Sequence, residues 1–132
     1  MNITLMAHDK KKELMVQFCT AYKSILSKHS LSATAATGRL VSEATGLPVT
    51  LFLSKSQGGH QQIDARIAYN EIDLVIFLRD PLNPKHHEPD VHKAVQLCDM
   101  HNIPLATNVA TAELLIKSLD RGDLEWREIY RS

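Results

Sequence analysis

Five short apolar runs recur along the chain, and each is followed by a longer segment whose apolar residues return at helical spacing. The runs are Asn2 to Met6, Leu31 to Thr34, Val49 to Leu53, Ile72 to Leu78 and Ile103 to Ala106. Strands alternating with helices predict a parallel sheet covered on both faces, because two parallel strands can be joined only by a crossover and the helix supplies it. In the first helical segment Leu14, Phe18, Tyr22, Ile25 and Leu26 form one stripe with lysines opposite. A second helix is expected to open at Thr37 and Gly38, run through Leu40, Val41 and Ala44, and stop at Gly46 with Pro48 just beyond. A third from about Gly59 to Tyr69 carries Ile63, Ile67 and Ala68, a fourth carries Val91, Ala94, Val95 and Cys98, and a fifth lies near Ala112 to Leu119. The unbroken LVIFL run from Leu74 to Leu78 predicts a central strand buried on both faces. The tail from Asp123 to Ser132 holds the only Trp and alternates weakly, which suits an edge strand, a docking segment or a subunit contact. The expected architecture is α/β: one three-layer domain over residues 1–132 with a five-stranded, mainly parallel sheet. Strand order is not readable from these patterns.

Composition narrows what such a domain can do. Its 132 residues, 44% of them hydrophobic, suffice for a sizeable core. Fifteen Lys plus Arg balance fifteen Asp plus Glu, so no overall field draws the chain to nucleic acid or to an anionic membrane. No apolar stretch approaches the ~20 residues of a membrane span, and Ile3 to Leu5 runs straight into charge, so neither a span nor an export signal is expected. Cys19 and Cys98 lie in helix-like patterns without CxxC or CxxH spacing, which argues against a disulfide framework or a thiolate metal site and for a reducing cytoplasm.

Polar residues collect directly after each strand: His8, Asp9 and Lys12; Thr34 to Gly38; Ser54 to His60; Asp80 to Asp90; and Thr107 with Asn108. In a parallel sheet these strand ends share one edge, and ligands bind there. Two of the loops resemble anion cradles, since Thr34, Thr37 and Gly38 precede one helix and Ser54, Ser56, Gly58 and Gly59 precede another, with Lys12 and Lys55 nearby. Equally, Thr37 and Ser54 read as helix caps and the glycines as turn residues. The segment from Asp80 to Asp90 packs His86, His87 and three carboxylates between prolines, a composition suited to acid–base chemistry. Adjacent histidines rarely face one ion and no HExxH or distant Cys pair completes a ligand set, so no metal is expected. The plainer alternative makes Asp80 a turn residue and Asp90 an N-cap. His60 follows Gly59 at a helix start, where the dipole favours a neutral ring able to act as a base; it also reads as an exposed first-turn residue.

In order, MAHDKKK, Ala33-Thr34 with Thr37-Gly38, Gly58-Gly59-x-Gln61-Gln62, DLVIFLRDPL, HEPDV and IPLATN resemble the methylglyoxal synthase family at matching spacing over nearly the whole chain. The resemblance implies a flavodoxin-like (Rossmann-like) fold, usually a homohexamer, and conversion of dihydroxyacetone phosphate to methylglyoxal and inorganic phosphate without metal or organic cofactor. By the same resemblance Lys12, Thr34, Thr37 and Ser54 would hold the phosphate, with Asp9, Ala35, Ala36 and Lys55 at neighbouring substrate positions. His8 and His87 would contact the oxygens of the three-carbon unit, His87 as electrophile or proton shuttle, while Asp80 and Asp90 orient them.

The departures fall in the same loops. His60 stands where the family carries the aspartate that acts as catalytic base. An imidazole, with a reference pKa of about 6.5 against about 3.9 for aspartate, is basic enough, but its nitrogen sits elsewhere. A misplacement of ~1 Å can cost about a hundredfold in rate. Ala36 loses a hydroxyl, Ser54-Lys55-Ser56 replaces S-G-P, and Asp64 replaces a glycine. Ser132 falls short of the C-terminal extension from which some members supply an arginine, leaving Arg127 and Arg131 as substitutes. Three functions remain in view: a lyase with His60 as base, a phosphate-binding relative with a regulatory role, or a lyase or isomerase of another phosphorylated ligand.

Overall fold

The computed structural model describes residues 1–82 and 91–131. Five strands form one sheet: β1 (Asn2–Ala7), β2 (Ser30–Thr34), β3 (Val49–Phe52), β4 (Leu74–Leu78) and β5 (Leu105–Ala106). Their order is β3-β2-β1-β4-β5 and every pairing is parallel, which gives the flavodoxin-like α/β class expected. The chain steps outward from β1 to β3 and then returns to the other side of β1, so the reversal point lies between β1 and β4. β1 takes the middle position, and β4 lies beside it with all five residues buried.

Alternation along β4 divides the core in two. Leu74, Ile76 and Leu78 face α1 (Lys12–Ala21), α3 (Ala35–Thr45) and α6 (Val109–Asp120), joining Met15, Phe18, Val41 and Ile116. Val75 and Phe77 face α4 (Gly59–Ala68) and α5 (Val91–His101), joining Ile63, Ile67, Ala94 and Leu97. Cys19 and Cys98 are free and lie in opposite layers. Burial pushes each thiol up to about 12, so both are inert as nucleophiles.

Element boundaries depart from the sequence reading where local chemistry intervenes. The first helix is divided at Tyr22, followed by α2 (Lys23–Leu26), yet Tyr22 N donates to Phe18 O at 3.0 Å and Leu26 N to Tyr22 O at 3.0 Å, so the apolar stripe is kept. α3 opens at Ala35, two residues earlier than expected, because two strong helix formers follow an extended Thr34 (φ −62°, ψ 158°). β5 shrinks to two residues because Pro104 has no N–H to give the ladder.

The tail is not the edge strand the sequence allowed but holds a helix, α7 (Trp126–Arg131). Arg127 anchors it at the N-terminal edge of the sheet. Nε donates to Asp73 Oδ1 at 3.2 Å, one terminal nitrogen to the carbonyls of His101 and Asn102 at 3.2 and 3.0 Å, and the other to Asn70 Oδ1 at 2.6 Å and Ile72 O at 3.2 Å. Asp73 in turn accepts from Asn2 N at 2.8 Å. Arg127 is therefore committed at the edge opposite the strand-end loops and does not replace a site arginine. The Arg131 side chain is outside the described residues.

Candidate functional site

At the reversal point β1 and β4 end side by side. His8 N donates to Leu78 O at 3.0 Å, and the side chain of His8 turns inward to 6% exposure with its ring edge-on to Phe77 at 5.3 Å. Asp80 N donates to His8 Nδ1 at 2.7 Å. With the Nδ1 lone pair engaged, the ring proton of the neutral imidazole sits on Nε2, and Nε2 is buried with no hydrogen-bond partner among the described residues. A buried donor left open in this way is costly in a purely structural setting. The Asp80 carboxylate accepts from Leu82 N at 3.2 Å, closing the turn at Pro81. Asp80 thus serves His8 through its backbone and the turn through its side chain.

Asp9, the next residue after His8, gathers two lysines. Its Oδ1 lies 3.0 Å from Lys12 Nζ and 2.7 Å from Lys55 Nζ. The hydrogen bond from Lys55, and then that from Lys12, hold the Asp9 carboxyl well below the usual carboxylate range. Lys12 is the first residue of α1, and Lys55 belongs to the 3-10 turn Lys55–Gln57 after β3, so one oxygen ties the ends of two strands together.

These residues border a cavity of about 480 Å³ lined by Asp9, Thr34, Ala36, Ser54, Lys55 and Ser56. Thr34 is the N-cap of α3, but its side chain makes no capping bond. Thr37, in the first turn of α3, is 1% exposed and its hydroxyl has no partner among the described residues. Capping therefore explains neither threonine, and the first-turn N–H groups of α3 have no helical carbonyl to serve. Ala35 is buried at the head of the same helix. Ser54 precedes the 3-10 turn without capping it; its hydroxyl donates to Gln57 Oε1 at 3.1 Å and lies 3.2 Å from the Ser56 hydroxyl.

The glycine pair shapes the second loop. Gly58 has a φ of 98°, and a Cβ on Gly59 would run into the carbonyl of Leu53. Gln62 Oε1 accepts from Leu53 N at 2.7 Å, fastening the end of β3 to α4. His60, second in α4, is half-buried with both ring nitrogens shielded from solvent, and it is not among the residues lining the cavity. His86, His87 and Asp90 lie outside the described residues. Asn108 caps α6, accepting from Thr111 N at 3.0 Å, and is thereby occupied.

The sequence reading did not single out Phe77, which backs His8, and gave Gln62, which fixes the glycine loop, no role beyond its place in the motif. Phe77 was hidden by its place in a strand run, whereas a glutamine one turn after two glycines was a usable sign of a side chain bonding back to the loop. Among the described residues no three His, Cys, Asp or Glu side chains are gathered as a metal site would need. A second cavity, of about 430 Å³, is lined by residues that include Asn2, Ser30, Arg66 and Glu71, but it opens toward the opposite edge, where Arg66 pairs with Glu71 at 3.4 Å. It holds neither of the open buried groups.

Fold and cleft together define a doubly wound α/β protein with a polar-lined cavity at the carboxyl ends of its strands. A family model described as the MGS-like domain matches residues 14–107. The chain is 71% identical over 129 residues to a methylglyoxal synthase from Caldicellulosiruptor saccharolyticus, spanning 98% of this chain and 92% of that one. It is 59% identical to a methylglyoxal synthase from a Thermoanaerobacter species, spanning 98% of each. The crystal structure of methylglyoxal synthase from Elizabethkingia anophelis superposes with a TM-score of 0.83 at 39% identity, over 87% of this chain and 76% of that one. The chain belongs to the methylglyoxal synthase family. No helix among the described residues is long and apolar enough to cross a membrane.

Proposed function

We propose that the protein is a carbon–oxygen lyase that converts dihydroxyacetone phosphate to methylglyoxal and inorganic phosphate. The observation that carries this reading is His8, a buried imidazole with its tautomer set by the Asp80 N–H and an Nε2–H without a partner among the described residues. On this reading Lys12, Thr34, Thr37 and Ser54 hold the phosphate. His60 takes a proton from the hydroxymethyl carbon, electrons move onto the carbonyl oxygen, and the Nε2–H of His8 donates to the developing oxyanion. A neutral imidazole suits that role because its donor strength changes little as charge builds on the oxygen. The proton of the terminal hydroxyl passes to the former carbonyl oxygen, collapse of that enediolate re-forms a carbonyl at the terminal carbon and breaks the carbon–oxygen bond to phosphate, and the enol left behind tautomerises to methylglyoxal. His87 and Asp90 join the site by the family motif. The proposal takes residues 1–132 as one domain, assembled as a homohexamer in the cytoplasm, and needs no cofactor for these steps.

One observation favours a second reading, a phosphate-binding relative with little turnover and a regulatory role: the ring nitrogens of His60 are shielded, and His60 does not line the cavity. Methylglyoxal release from dihydroxyacetone phosphate decides between the two, run beside His60→Ala and an enzyme-free blank. The lyase reading expects release above the blank that is lost in His60→Ala. Release equal to the blank, with strong turnover gained in His60→Asp, selects the second.

A further inference from the structure

We propose that Lys55 is an anion-binding residue of the strand-end cavity, forming with Lys12 a two-cation seat that takes a phosphate group as its dianion. The inference rests on the phosphate reading above and goes further by assigning a ligand contact where the family motif has a glycine, S-G-P, and this chain reads Ser54-Lys55-Ser56. Lysine ammonium groups ordinarily extend into water. Lys55 does the reverse: its side chain keeps only 21% of its exposure, and Nζ turns back over the cavity to within 2.7 Å of Asp9 Oδ1. Lys12 reaches the same oxygen at 3.0 Å. Two ammonium groups are thus drawn together on one carboxylate oxygen beside the cavity.

What surrounds the ammonium groups selects the ligand. The cavity presents hydroxyl-bearing Thr34, Ser54 and Ser56, and the first turn of α3 adds the buried hydroxyl of Thr37, which has no partner among the described residues. A ligand that accepts hydrogen bonds from several directions and carries more than one negative charge is the complement, and a tetrahedral phosphate monoester or inorganic phosphate fits it. A glycine at position 55 would remove one of the two ammonium groups from the cavity. Lys55 therefore sets how firmly phosphate is held. Because it meets the phosphoryl oxygens, it tightens ester and free phosphate alike. The second ionisation of a phosphate monoester falls at about pH 6, so binding of the ester should weaken below that value as the dianion is lost.

Titration calorimetry at low salt, with inorganic phosphate and glycerol 3-phosphate as separate probes, tests this on the full chain and on Lys55→Met, Lys55→Arg and Lys12→Met. Melting without added anion shows that each variant is folded. The expected result is a loss of about tenfold or more in affinity for both probes in Lys55→Met, with Lys55→Arg within about threefold of the parent. Lys55→Met binding both probes as the parent does, while Lys12→Met fails, overturns the role of Lys55 and leaves the phosphate reading standing. A parent chain that binds neither probe at millimolar concentration overturns both. Loss of the ester probe alone also overturns the proposal, since a phosphoryl contact acts on both.

Discussion

The N-terminal edge of the sheet buries a guanidinium and closes all five of its N–H bonds, whereas the C-terminal edge buries an imidazole nitrogen and a hydroxyl and leaves both without a partner among the described residues. Burial is similar at the two ends: Arg127 is 3% exposed, His8 6% and Thr37 1%. What differs is satisfaction. A buried polar group whose bonds are complete holds the chain together, and one left open costs stability that only a ligand returns. Changes at the two edges should therefore produce opposite symptoms, with stability lost at one and ligand binding lost at the other.

The largest effect is expected from Arg127→Ala. It removes the clasp of α7 and leaves Asp73 buried without its cation, a defect that costs about 3–5 kcal/mol. Urea unfolding measures it, and phosphate affinity of the protein that remains folded should not change. A cost below about 1 kcal/mol would mean that the Arg127 network is incidental to folding. Gly59→Ala comes next and blurs the contrast on purpose, because its Cβ meets the Leu53 carbonyl at the loop that carries Lys55. Overpacking of this kind costs about 1–3 kcal/mol and should shift the loop, so stability and phosphate binding fall together. Unchanged values of both would place that contact among those the backbone relieves freely.

How much of the contrast was legible in the sequence differs between the edges. The C-terminal edge could be read because strand ends in a parallel sheet share a side, and His8, Asp9, Lys12, Thr34, Thr37 and Ser54 each follow a strand. Their satisfaction could not, since it depends on distances between loops far apart in the chain; the bond from Asp80 N to His8 spans 72 positions. The N-terminal edge was missed outright. Arg127 sits in a tail of weak period and finds Asp73 only once β4 is in place, although Asp73 itself, a carboxylate inside the run Ile72-Asp73-Leu74, announced that a buried cation was needed. Strand order followed the same rule, being set by which helix packs on which face.

Thr37→Val separates the two kinds of burial most sharply. The change keeps the shape of the side chain and removes the hydroxyl that has no partner among the described residues. Stability should hold or rise slightly, because no satisfied bond is broken and a desolvated donor is gone. Phosphate affinity should fall by about tenfold, the worth of one hydrogen bond to a charged group. A clear drop in stability with affinity intact would reassign Thr37 to the structural class that Arg127 represents.

The smallest effect is expected from Asp9, and its pH dependence has a definite sign. Hydrogen bonds from Lys55 and then Lys12 hold its folded-state pKa far below the ordinary value of 3.8. A group depressed on folding contributes stability that is fully present above its unfolded value and is lost as pH falls through the folded one. The carboxylate side chain is 38% exposed, so solvent screening limits the two ion pairs. Pairs of this exposure are worth less than about 1 kcal/mol, which corresponds to a melting difference of no more than about 5 °C. Parent and Asp9→Asn should accordingly differ by a constant small amount between pH 8 and pH 5 and converge as the pH is lowered from about 4 toward 2. Melting curves across that range decide it. A gap that stays constant to the acid limit would show that the Asp9 carboxylate does not bridge the lysines in solution, and would make Lys12 and Lys55 two independent ammonium groups instead of one seat.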